Sequence, residues 1–178
     1  TAGGVDVSIG FSDNLGAALD RTDGEQDTTV GSGANSSSSI AFSMDAMDGL
    51  TIKAGIGTEG QADGNDLDHT TVGFTYTYGP AKFGYQINDE DDSAAAGTDM
   101  ETEIFGISFM VNDNLSLSYG ENTTEVANNA NDQELTSVQA SYSMGGVSIN
   151  FKDTEGTGVG NAANSNHDAT ELLVVFAF

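Results

Sequence analysis

In "TVGFTYTYGPAKFGYQI" the apolar Val72, Phe74, Tyr76 and Tyr78 take every second position, Gly79 and Pro80 interrupt, and Ala81, Phe83, Tyr85 and Ile87 resume the alternation. Successive side chains of a strand point to opposite faces, so this pattern predicts a hairpin with one apolar and one small or polar face. A helix would gather its apolar residues at three-and-four spacing instead.

The unit recurs. Ile40, Phe42 and Met44 lead through "DAMDG" to Leu50, Ile52, Ala54 and Ile56; Phe105, Ile107, Phe109 and Val111 lead through "NDN" to Leu115, Leu117 and Tyr119. Val138, Ala140, Tyr142 and Met144 lead through "GG" to Val147, Ile149 and Phe151. Val5, Val7, Ile9 and Phe11 read the same way, with "SDN" as the turn and Leu15, Ala17 and Leu19 as the returning strand. Turn centres near Asp13, Met47, Gly79, Asp113 and Gly145 are about 33 residues apart. Ankyrin repeats share that period but are helical, whereas strict alternation holds here. Five hairpins and a closing strand, "ATELLVVFAF", predict about eleven strands.

Charge separates the chain into two kinds of segment. Of 178 residues, 28 are acidic and four basic, a formal charge of -24. Such a chain would repel phosphate, which excludes nucleic acid as a partner. The acids gather in blocks, Asp20–Asp27, Glu59–Asp68, Asp89–Glu103, Glu121–Glu134 and Asp153–Asp168, which predict long acidic loops alternating with the tight turns. Cysteine is absent, so disulfides and thiolate chemistry have no basis. The longest uninterrupted apolar run, Leu172–Phe178, is far short of the roughly 18 to 20 residues of a transmembrane helix. With no Met, basic segment or apolar segment at its start, Thr1 is expected not to be a native start.

Alternation alone does not choose between a soluble sandwich and a barrel in lipid, because both have one apolar face. Strands of roughly nine residues joined by long structureless loops are uncommon in a compact sandwich. Phe11, Phe42, Tyr78, Phe83, Tyr142 and Phe178 fall on the apolar face close to the turns, as an interfacial girdle would. Tyr85, Phe105, Tyr119 and Phe151 are candidates for a second girdle. The expectation is an all-β protein, a transmembrane antiparallel β-barrel forming one domain over residues 1–178.

The hairpin repeat and the terminal strand "ELLVVFAF" ending on Phe178 resemble the C-terminal part of a Gram-negative general porin, most nearly the alphaproteobacterial type. The resemblance implies the outer membrane, lipid and lipopolysaccharide as surroundings, and a homotrimer. It also implies that Phe178, with Phe176, is a signal read by the barrel-assembly machinery. The repeat puts Thr1 on the long-loop side and the last strand's end on the turn side, so first and last strands would run in the same direction. Bacterial barrels have even strand numbers with both termini on the turn side. If the family's sixteen strands hold, about five are expected before Thr1, with the constriction loop and its facing basic cluster.

The function expected is a water-filled pore for small hydrophilic solutes and ions, cation-preferring because of the acidic excess. By parity Asp6, Asp20, Lys53, Lys82, Gln86, Lys152 and Glu171 line it. The alternative is a non-conducting structural or adhesin-like barrel presenting acidic loops. No cofactor is expected beyond loosely held Ca2+ or Mg2+. "DGNDLDH" offers Asp63, Asn65, Asp66 and Asp68 as weak ligands but lacks the glycine and distal glutamate of a calcium loop. Enzymatic readings are poor: His69 and His167 stand beside Asp68 and Asp168, and "SSSSI" has no base attached to it by spacing.

Overall fold

The computed structural model describes residues 5–13, 36–60, 66–93 and 99–176. They form ten strands: β1 Val5–Asp13, β2 Ser36–Met47, β3 Leu50–Gly60, β4 Asp66–Tyr78, β5 Ala81–Asp92, β6 Met100–Asn112, β7 Leu115–Val126, β8 Gln133–Met144, β9 Val147–Thr157 and β10 His167–Phe176. They belong to one sheet whose order follows the sequence from β1 to β10. By contact density the chain divides into two units, one of residues 1–74, 86–101 and 126–128, the other of residues 75–85, 102–125 and 129–178.

Four two-residue turns join β2–β3, β4–β5, β6–β7 and β8–β9, as the alternation predicts. Gly79 and Gly145 stand first in their turns with φ of 56° and 61°. A positive φ at that position suits the twist of a hairpin, and Pro80 fills the next position, where φ is negative. At Asp113–Asn114 a side chain does the work: Asn112 Oδ1 accepts the N–H groups of Asn114 and Leu115 at 2.9 and 3.0 Å. The register shifts between Asp45 and Met47, setting Met47 opposite Leu50. That bulge returns Met47 to the apolar face, which plain alternation would deny it.

The turn expected at Asp13 is not formed there. β1 continues through Asp13 and pairs directly with β2, from Val5 opposite Met44 to Asp13 opposite Ser36. The expected returning strand, with Leu15, Ala17 and Leu19, falls outside the described residues. Ten strands are described, against about eleven expected. The direction of β1 also changes, because Val5 now lies toward the turn end of β2. Phe176 of β10 pairs with Val147 beside the Gly145–Gly146 turn. β1 therefore leaves the turn end and β10 arrives there, opposite to the shared direction expected.

The long loops are also shorter than expected. β5 runs to Asp92 and β6 begins at Met100; β7 runs to Val126 and β8 begins at Gln133. More than half of the Asp89–Glu103 and Glu121–Glu134 blocks is strand. The alternation of hydropathy ended before the strands did.

Candidate functional site

No apolar side chain is buried among the described residues. A sandwich excludes water from its apolar face, whereas here Ile9, Leu172 and Phe176 are 62, 68 and 58 % exposed. On β4 Val72 and Phe74 are exposed while Thr71, Gly73 and Thr75 between them are half-buried. On β6 Phe105 is exposed and its neighbours Ile104 and Gly106 are half-buried. On these strands the apolar face is the open one and the polar face the recessed one, the reverse of a soluble sheet.

On β7–β10 a cavity of about 710 Å³ opens on the polar face. Register brings Ser118, Gln139, Lys152 and Glu171 into one row across the four strands. Ser116, Ser141, Asn150 and Leu173 form the next row toward the turns. Ser141 donates its hydroxyl to Asn150 Oδ1 at 2.7 Å, which leaves the Asn150 amide N–H groups facing the cavity as donors. Lys152 and Glu171, expected as wall residues, are thus neighbours on adjacent strands. Gln139, Ser141 and Asn150 were not singled out from the sequence, although the same parity points to them.

On β1–β3 a comparable row holds Asp6, Ser43 and Lys53. Nearby, Thr51 donates to Asp45 Oδ1 at 2.7 Å. On β4 and β5 the polar face carries His69, whose Nδ1 is 3.4 Å from Glu90 Oε2, and Thr71 and Gln86, which both donate to Asn88 Oδ1 at 2.9 Å. Lys82 lies exposed beside the Gly79–Pro80 turn. Asp20 lies outside the described residues.

The acids do not follow the lysines. Lys53, Lys82 and Lys152 all lie on the polar face, with Asp6, Asp45, Glu59, Glu90, Asp92 and Glu171. Most other strand acids continue the apolar face toward the long-loop ends: Asp66 and Asp68 on β4, Asp89 and Asp91 on β5, Glu101 and Glu103 on β6. On β7–β10 one row of that face reads Glu121, Thr136, Glu155 and Asp168. Hydrogen bonds fix the placement, with Thr58 donating to Asp68 and Thr170 to Asp153 at 2.6 Å each, and Tyr119 to Glu121 at 2.7 Å. Crowding is felt at Asp91, whose carboxyl is pushed above its ordinary 3.8, first by Asp89, then by desolvation and by Asp99 and Asp68.

At the same ends the polar face turns apolar. Leu135 and Val159 pack over Gly156, where a Cβ would approach each to 2.9 Å. Asn161, itself at φ 53°, donates from Nδ2 to the carbonyls of Thr124 at 2.8 Å and Asn131 at 3.1 Å. Asn129 returns a bond to the Asn161 carbonyl at 2.9 Å, and Gly160 N–H bonds Gln133 Oε1 at 2.9 Å. Residues 129–133 and 160–161 are thereby bonded together.

Of the aromatic set, Tyr78 stands at the end of β4 beside its turn, 72 % exposed, and Phe83 and Tyr142 lie near turns. Phe42 sits further in, opposite Val7 and Ala54. Phe11 pairs with Ser38, at the end of β1 away from the turns, because the turn expected after it is not formed. Phe178 lies outside the described residues. So do Asp63 and Asn65, while Asp68 accepts from Thr58 of β3 and Asp66 donates its backbone N–H to Ser93 Oγ. Among the described residues no three His, Asp or Glu side chains are gathered to hold a metal ion. His69 turns to Glu90 and away from Asp68, since adjacent strand residues face opposite ways.

An antiparallel sheet of hairpins, apolar and exposed on one side and polar and recessed on the other, defines the wall of a β-barrel of the outer-membrane class. The family model of the Gram-negative porins matches residues 6–178, and the chain belongs to that family. It is a protein of the bacterial outer membrane. Its fold is similar to that of a porin refined at 1.8 Å resolution, with a TM-score of 0.67 and 18 % identity over 100 % of this chain. The chain spans 59 % of that porin's length. Among curated proteins none matches.

Proposed function

We propose that the polar face of this sheet is the wall of a water-filled diffusion channel for small hydrophilic solutes and ions. The observation that carries the reading is the reversed exposure: apolar side chains open outward as lipid requires, and lysines, carboxylates, amides and hydroxyls line the recess. The whole chain is read as one barrel domain. Phe178 and Phe176 are read as its assembly signal, and Tyr78, Phe83 and Tyr142 as part of an aromatic girdle. A homotrimer in lipid and lipopolysaccharide completes the proposal, with divalent cations held loosely at most and no enzymatic step.

Cation preference follows from the polar face alone, where Asp6, Asp45, Glu59, Glu90, Asp92 and Glu171 outnumber Lys53, Lys82 and Lys152. The larger acidic excess lies on the other face, so the preference is modest rather than the strong one a charge of -24 suggests. Reconstituting the intact native protein in a planar bilayer under a salt gradient tests both claims. Stepwise conductance with a cation-selective reversal potential is expected. Anion selectivity would overturn the charge argument, and silence from folded protein would favour a non-conducting barrel.

A further inference from the structure

We propose that the recess on β7–β10 is a binding subsite for small zwitterionic solutes of the α-amino-acid class, resting on the reading of the polar face as a channel wall. Lys152 and Glu171 are directly opposite in register, which places their backbones about 5 Å apart with both side chains on one face. Neither shares a side-chain hydrogen bond or ion pair with any described residue. Opposite charges at that separation match a solute that carries an ammonium and a carboxylate on one carbon.

The neighbours extend the match. Asn150, two residues before Lys152 on the same face, accepts from Ser141 at Oδ1, which orients the amide, and keeps its N–H groups as donors, which suit a carboxylate. Gln139, on the other side of Lys152, holds its Nε2 toward Ser137 at 3.4 Å and leaves its carbonyl oxygen as an acceptor for an ammonium. Leu173, two residues beyond Glu171 and opposite Asn150, supplies an apolar floor for a short aliphatic side chain. A purely anionic solute would meet Glu171, and a purely cationic one Lys152. The pair therefore selects for both charges together, which net charge on the wall does not.

Saturation-transfer NMR on the intact protein in detergent micelles reads binding without requiring conduction. L-norvaline is the probe, with butyrate, butylamine and glucose as single-charge and polyhydroxyl comparators. Saturable transfer to L-norvaline is expected, about tenfold weaker in Lys152→Gln and in Glu171→Gln, each replacing one charge-assisted hydrogen bond by a neutral one. Conductance in KCl, measured beside it, reports the channel reading separately. Equal transfer to glucose, undiminished in both variants, would overturn the proposal in favour of a hydroxyl-binding wall. No transfer to L-norvaline from protein that conducts would overturn it outright.

Discussion

The turn-end and loop-end halves of the later strands share one period and have opposite phase. Near the turns of β7–β10, Leu117, Ala140, Phe151 and Leu172 make an apolar row on one face, and Ser118, Gln139, Lys152 and Glu171 a polar row on the other. Toward the long connections the first face carries Glu121, Thr136, Glu155 and Asp168, while on the second Leu135 and Val159 close over Gly156. The strands do not bend the pattern; the solvent changes. A strand in lipid turns its apolar side outward, and beyond the lipid boundary the same strand must turn it inward, as any soluble sheet does. The acids of the described strands beyond the apolar span are therefore the aqueous skin of the strand ends, and only a minority of the described strand acids belong to the wall.

The largest expected effect comes from placing one charge in each half. Leu172→Arg should destabilise the folded barrel by about 2–4 kcal/mol, the cost of a basic residue facing lipid, whereas Asp168→Arg on the same face of the same strand should cost little or nothing. Urea unfolding in lipid vesicles measures both, and equal costs would break the comparison. Next is Gly158→Ala. Gly158 sits at φ +58°, and its Cβ would run into the Asp132 carbonyl oxygen. The left-handed backbone alone costs about 1–2 kcal/mol. Protease cleavage within 158–166 should accelerate while the conductance, set in the other half, stays unchanged.

Asn161→Ala removes the bonds to Thr124 and Asn131 and leaves two carbonyls to find water, a loss of about 1–2 kcal/mol confined to the bonded connections. Faster amide exchange at 127–132 and 158–166, with β7–β10 turn-end amides unaffected, is the expected signature. The smallest effect is electrostatic. Because the Asp91 carboxyl lies above its ordinary 3.8 in the folded state, the folded protein binds more protons than the unfolded one just above pH 3.8. Local stability at the end of β5 should fall as pH rises through that window and stay lower above it. Asp91→Asn should flatten the profile, read as amide protection of β5; a profile that rises instead would contradict the crowding by Asp89.

Much of the fold was legible. The four turns at Gly49, Gly79, Asn114 and Gly145 follow from residues that alone tolerate or build those turns, and the hairpins around them follow from alternation. "SDN" misled because a polar triplet after an apolar run has two physical causes, a turn or an exit from lipid, and composition is the same for both. For that reason the sequence predicts a turn at Asp13, which is the end of β1. The acidic blocks were read as loops for the same reason. The wall residues Lys53, Lys82, Lys152 and Glu171 were legible by parity, but Gln139 and Asn150 gained meaning only beside them in the register.

The sequence by itself determined the strands within the apolar span, their tight turns and the division of each into two faces, because period and turn chemistry are local properties of the backbone. Which face is open and which recessed was decided by the tertiary structure. So were the partners of Lys152 and Asn161 and the lengths of the strands beyond the apolar span, because each depends on what a neighbouring strand or the surrounding solvent places beside the chain.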